Sequence, residues 1–224
     1  MKIGILVAME KEMEQLQSFF NSPDLMIRQS GIGKVNAALT CLQLIQDFNP
    51  DIVISTGCAG GNGEGIHVGD VVVSNETAYH DVYCGEAIGK SVYGQIQGMP
   101  PRFATPEKMV NLALRLNGQQ TETGELLPSI HAGLIVTGDW FVDSKDKMCD
   151  ILSHFPEAKA VEMESAAIAH TCYRQGVPFV SFRVVSDMPM ADEHASQYHD
   201  FWKNVSKKSF AVTKSYVNLL LEQE

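Results

Sequence analysis

Near the C-terminal end lies an apolar run, Val177-Pro-Phe-Val-Ser-Phe-Arg-Val-Val185, that carries one charge and stops abruptly at Ser186-Asp187. A continuous apolar run of this length predicts a strand buried on both faces, which requires a sheet covered by helices on two sides. A carboxylate at the carboxyl end of such a strand sits where open α/β sheets place their ligands. Ile3 to Ala8 reads the same way and is followed at once by Met9, Glu10 and Glu12.

Between and after these two runs, strands alternate with helices. Helical spacing is predicted over Met9 to Phe20, with Met13, Leu16, Phe19 and Phe20 on one side. Leu25 to Gln29 is a short strand, Ser30-Gly-Ile-Gly33 a turn and Lys34 to Phe48 a helix. Ile52 to Thr56 is a strand entering a glycine-rich loop, Gly57-Cys-Ala-Gly-Gly61. Val71 to Val73 is a strand extending toward Tyr79, and Asp81 to Arg102 reads as a long loop. Pro106 to Leu116 is a helix with proline where its missing N–H costs little. Ile130 to Thr137 is a strand, Lys145 to His154 a helix, Met163 to Arg174 a helix stopped by Gly176, and Phe201 to Leu221 a final amphipathic helix. The alternation implies an α/β fold around a mainly parallel sheet. No repeat or linker divides the chain, so residues 1–224 are read as one domain.

A net charge of -10 and a pI near 5.1, with no basic stripe, argue against nucleic acid as a partner. No segment approaches the about 20 apolar residues of a membrane span. Met1-Lys2-Ile3-Gly4 enters a strand without a signal-peptide layout. Five scattered cysteines form no Cys-x-x-Cys pair and fit free thiols in a reducing cytoplasm. Seven histidines show no His-x-x-x-His or His-x-His pairing, so no metal is expected.

Val161-Glu162-Met163-Glu164-Ser165 places two carboxylates at the mouth of an apolar helix, and buried carboxylates need partners. They read equally as a helix cap with a surface neighbour, or as a ribose site, since a carboxylate can accept both hydroxyls of a cis-diol. Glu12 reads as favourable charge near a helix N-terminus or as a general base. Asp187 reads as a turn aspartate or as a desolvated acid able to donate a proton near neutral pH. Gly31-Ile-Gly-Lys34 lacks the full phosphate-loop spacing. Small residues in Gly57–Gly61 allow a backbone to approach a flat ligand. Cys58 reads better as a small buried residue than as a nucleophile.

These residues match a known pattern. Met1-Lys-Ile-Gly-Ile5 with Ala8-Met9-Glu10-Lys-Glu12, Ser30-Gly-Ile-Gly-Lys34, Thr56-Gly57-Cys-Ala-Gly-Gly61, Val68-Gly-Asp70, Tyr79-His-Asp81, Thr137-Gly-Asp139, Val161-Glu-Met-Glu164 and Arg183-Val-Val-Ser-Asp187 occur in order. Over nearly its whole length the sequence resembles the 5'-methylthioadenosine/S-adenosylhomocysteine nucleosidases of the nucleoside phosphorylase/nucleosidase superfamily. The resemblance implies a three-layer α/β/α domain around a mixed sheet, a homodimer, and hydrolysis of an adenosine thioether to free adenine without cofactor. It implies Glu12 as the base that activates water and Asp187 as the acid at purine N7. Met163 and Glu164 would bind ribose, Phe141 would stack on adenine, and Val142 would offer its backbone to the base edge. Met9, Cys58, Ala59 and Gly60 would line the site, Arg183 would lie near the water and carboxylates, and Tyr198 would help close the purine side.

The chain departs from the family pattern in three places. It is shorter between Asn21 and Gln29, it has Cys58 in place of a serine, and its Cys84–Met99 loop has Tyr93 as its one aromatic residue. The 5'-group is therefore open, including 5'-deoxyadenosine and futalosine types. Phosphorolysis also stays open, with Arg183 and Lys34 as candidate anion ligands, and so does a nucleoside-binding protein without activity.

Overall fold

In the computed structural model, residues 1–17, 22–85, 92–121, 123–192, 194–204 and 206–222 are described. Eight strands form one mixed sheet: β1 (Ile3–Val7), β2 (Leu25–Gln29), β3 (Ile52–Gly61), β4 (Val71–Tyr79), β5 (Phe103–Ala104), β6 (Ile130–Thr137), β7 (Ala158–Glu162) and β8 (Phe179–Asp187). The helices are α1 (Glu10–Gln17), α2 (Lys34–Phe48), α3 (Glu107–Leu114), α4 (Lys145–His154), α5 (Ser165–Gln175), α6 (His194–Asn204) and α7 (Ser206–Leu221).

Strand β3 organises the sheet. β1 pairs parallel with it over Ile52–Ser55, and β8 runs parallel along it to Gly60. At the far end β7 pairs antiparallel with Gly60 and Gly61. Since β8 also pairs with β4, β4 with β6, and β6 with β7, these five strands close into a ring. All nine residues of β8 are buried, as its apolar run predicts. Helices cover both faces. Phe210, Tyr216 and Val217 of α7 join Met109 and Ala113 of α3 against Ile54 and Phe182. On the other face Ala37, Cys41 and Leu44 of α2 meet Ala166, Ala169 and Cys172 of α5. Each large apolar side chain so buried contributes roughly 1.5–3 kcal/mol. A Cβ at Gly4 would lie 2.4 Å from Leu44 Cδ2, so glycine there lets α2 press onto β1.

Several boundaries differ from those the sequence predicts. Gly57–Gly61 is strand rather than loop, because β8 and β7 pair with it. Strand β7 was not predicted: two of its five residues are alanines and one is Lys159, and its pairing with β6 is what defines it. The short β5, just beyond the predicted Asp81–Arg102 loop, was not predicted and pairs with β4. The predicted C-terminal helix begins earlier than expected, at His194 of α6, and residue 205, between α6 and α7, lies outside the described residues. Helix α5 starts at Ser165, which leaves Met163 and Glu164 ahead of it. The expected shortening before Gln29 leaves β2 in place, parallel to β1. The end of the predicted Met9–Phe20 helix, with Phe19 and Phe20, lies outside the described residues. No described helix is long and apolar enough to cross a membrane.

Candidate active site

One cavity gathers residues from the ends of β1, β3, β7 and β8, from the loop after β6 and from α6. Met9 and Glu12 follow β1; Cys58, Ala59 and Gly60 come from β3; Phe141 and Val142 from the loop after β6; Met163 and Glu164 follow β7. Asp187 ends β8, and Tyr198 reaches in from α6. Every predicted site residue except Arg183 lines this space. Sequence reading missed Ile32, Trp140 and Ser186, which line it too, as does Glu162. Ile32, between two glycines of a motif already singled out, and Trp140, beside Phe141, are exposed apolar side chains (52% and 55%). A larger groove, about 780 Å³, opens between α3 and α7, away from all these residues.

Glu12 does two things at once. Its Oε2 accepts the N–H groups of Ala8 and Met9, each at 2.9 Å, as a first-turn glutamate does when it reaches back to cap its helix. Its Oε1 accepts the Cys58 N–H at 3.0 Å. The side chain is 1% exposed yet lines the cavity. Burial pushes its pKa above the ordinary carboxylate value, while the Arg183 charge and the three N–H donors oppose the rise. Cys58 reaches Glu12 through its backbone, a contact that serine and cysteine share. Burial and the Glu12 charge push the Cys58 thiol well up, which disfavours its thiolate form.

The two glutamates around Met163 divide the readings between them. Glu162 is the cap: its carboxylate accepts the N–H groups of Glu164 and Ser165 at 2.9 Å and the Thr137 hydroxyl. Glu164 is no surface neighbour but is 5% exposed, and its Oε1 accepts the Gly33 N–H at 2.9 Å. Burial, with the adjacent Glu162 charge, raises its pKa to about 7.

Arg183 lies beneath the cavity. Its Nη2 pairs with Glu162 Oε2 at 2.7 Å and donates to Ser55 Oγ at 2.8 Å. Its Nε donates to Ser165 Oγ at 3.0 Å, and its Nη1 is 3.6 Å from Glu164 Oε2. Lys34 Nζ bonds both oxygens of Asp81, at 2.8 and 2.7 Å. Asp187 Oδ1 accepts the Ser186 hydroxyl at 2.7 Å. The Phe141 and Tyr198 rings meet edge to face, with centroids 5.6 Å apart. Gly60 admits Pro189, since a Cβ there would lie 2.6 Å from Pro189 Cγ. Within the Cys84–Met99 loop, residues 86–91 lie outside the described residues, while Tyr93 stacks on His154 at 3.7 Å.

This geometry can be set beside known proteins. The phosphorylase superfamily profile matches residues 2–218. A 5'-methylthioadenosine/S-adenosylhomocysteine nucleosidase from an Exiguobacterium species is 42% identical, over 96% of this chain and 98% of its own. The chain belongs to this nucleosidase family, within the phosphorylase superfamily. The Neisseria meningitidis nucleosidase, solved with methylthio-immucillin-A, superposes with a TM-score of 0.85 at 37% identity, covering 96% of this chain and 98% of that one. The Colwellia psychrerythraea nucleosidase, solved with adenine, gives a TM-score of 0.86 at 33% identity, covering 97% of this chain and 95% of that one. The fold and family implied by the sequence resemblance are thereby established.

Proposed function

We propose that this chain hydrolyses the N-glycosidic bond of 5'-methylthioadenosine and S-adenosylhomocysteine, releasing adenine. The observation that carries the reading is one cavity holding Glu12, Glu164 and Asp187 while both nearby cations are occupied by carboxylates. A phosphorylase must seat a dianion beside the anomeric carbon, and carboxylates repel one there. Arg183 is committed to Glu162, and Lys34 to Asp81. The methylthio inhibitor and the adenine bound by the two solved relatives support the substrate class.

Adenine leaves poorly as an anion. Asp187 protonates N7 and removes that penalty. The ribosyl group gains oxocarbenium character, which the buried carboxylates stabilise electrostatically. Glu12, held by three N–H groups, takes a proton from water as it attacks C1'. Its raised pKa brings it nearer the operating pH of a general base. Glu164 accepts the ribose diol with Met163 beside it. Phe141 and Tyr198 cover the base, and Val142 presents its backbone to the base edge. An acid and a base acting together follow the logic of inverting glycosidases.

The chain acts as one domain and as a homodimer, a reading supported by exposed apolar side chains on Ile32, at the cavity, and on Val35 and Leu39 of α2 (52%, 68% and 58%). Its five free thiols fit a reducing cytoplasm. Adenine release from 5'-methylthioadenosine tests the proposal. Adenine and methylthioribose, formed at a rate indifferent to added phosphate, are expected. Release only with phosphate, giving a sugar 1-phosphate, would replace hydrolysis by phosphorolysis.

A further inference from the structure

Three motifs contribute residues that the proposed chemistry does not use: Lys34, Asp81 and Asp139. None of them lines the cavity, yet they converge on the N-terminus of α2. Gly33 sits at the cap position before that helix and has no side chain to cap it. A helix N-terminus leaves its first N–H groups without intrahelical partners. Here two carboxylates supply them from outside: the Gly33 N–H donates to Glu164 Oε1 at 2.9 Å, and the Lys34 N–H to Asp139 Oδ1 at 2.8 Å. Glu164 is the proposed ribose ligand. Asp139 opens the loop that carries Phe141 and Val142. One helix end thus holds both halves of the nucleoside site.

A second ring of contacts fixes Asp139. Its N–H donates to Asp81 Oδ2 at 2.8 Å, and its Oδ2 lies 3.6 Å from Lys34 Nζ. Lys34 Nζ closes the ring on both oxygens of Asp81. Gly33 leaves room for this approach: a Cβ there would lie 3.1 Å from Asp139 Oδ1, and its φ of 94° also favours glycine.

The geometry points to Lys34 and Asp81 as positioning residues, a latch that sets the base-stacking loop through Asp139 and ties it to the ribose carboxylate across Gly33. The inference rests on the nucleosidase reading, but it concerns binding of the base. The Lys34 and Asp81 side chains are 21% and 26% exposed, so salt screens the latch partially.

The test is adenine binding by calorimetry to the full chain and to Lys34→Met, Asp81→Asn and Lys34→Arg, at low and high salt, with melting temperatures and steady-state kinetics. In Lys34→Met and Asp81→Asn adenine binds about fivefold more weakly and KM for 5'-methylthioadenosine rises, with kcat within about twofold of the parent. Lys34→Arg restores binding. Adenine affinity falls with salt in the parent and not in Lys34→Met. Unchanged adenine affinity in a folded Lys34→Met or Asp81→Asn chain overturns the latch. If both variants fail to fold, a salt-independent affinity in the parent overturns it. Failure of the parent to turn over 5'-methylthioadenosine would instead strike the nucleosidase reading, and adenine binding would still decide the latch.

Discussion

Arg183 and Glu162 form an ion pair of 2.7 Å between side chains that are 1% and 2% exposed. Ser55 and Ser165 take further guanidinium donors, and the Glu162 carboxylate also caps α5. The arginine therefore acts as the keystone under the site, holding the carboxylates of two elements in place.

Removing the cation leaves Glu162 buried and unpaired. Arg183→Met is expected to lower stability by about 3–5 kcal/mol, the usual cost of breaking one partner of a buried pair. Urea unfolding measures this. A loss under about 1 kcal/mol, the range of an exposed pair, would contradict the keystone role.

Gly57 separates Arg183 from Glu12. A Cβ there would lie 2.5 Å from Arg183 Nη1 and 2.7 Å from Glu12 Oε1, and hydrogen bonds pin both side chains. Gly57→Ala should cost about 1–3 kcal/mol of stability by overpacking. It should also lower kcat by about tenfold or more, because Glu12 must shift. Native kcat in the variant would show that the carboxylate position is not critical.

Glu164 gives a pH signature. Its pKa is raised from 4.5 to about 7 in the folded chain, first by burial and then by Glu162. The folded carboxyl therefore holds its proton more tightly than the unfolded one. Its stabilising contribution is complete below about pH 4.5 and is lost as pH rises through about 7, at no more than about 1.4 kcal/mol per pH unit. Glu164→Gln should remove that slope from a pH series of unfolding curves. Ionised Glu164 accepts the diol, so affinity for a non-hydrolysable nucleoside should rise through the same window. Free adenine, lacking the diol, should not follow it; parallel pH dependence for both would contradict the assignment.

The parts of this fold set by side-chain pattern were legible in the sequence, and those set by pairing were not. The β8 run and its terminal Asp187 stood out because nine consecutive residues are buried. Gly57–Gly61 looked like a loop because composition cannot reveal that β8 and β7 pair with it. Strand β7 was invisible for the same reason. In the site, the residue types around Met163 announced a buried carboxylate pair, but which glutamate caps α5 depends on the turn that separates them. Arg183 was expected near the carboxylates; that its partners include Ser55 and Ser165 follows only from the way β3, β8 and α5 pack.

The central claim is that Asp187 acts on the leaving group and Glu12 on water. A nitrophenyl 5-methylthioriboside separates the two roles, since its leaving group departs without protonation. Turnover of this compound and of 5'-methylthioadenosine should be measured for the parent chain, Asp187→Asn and Glu12→Gln. The account predicts that Asp187→Asn loses about 100-fold or more on 5'-methylthioadenosine but stays within about tenfold of the parent on the nitrophenyl riboside, while Glu12→Gln loses heavily on both. Equal losses by Asp187→Asn on the two substrates, or near-parent rates for Glu12→Gln, would contradict it.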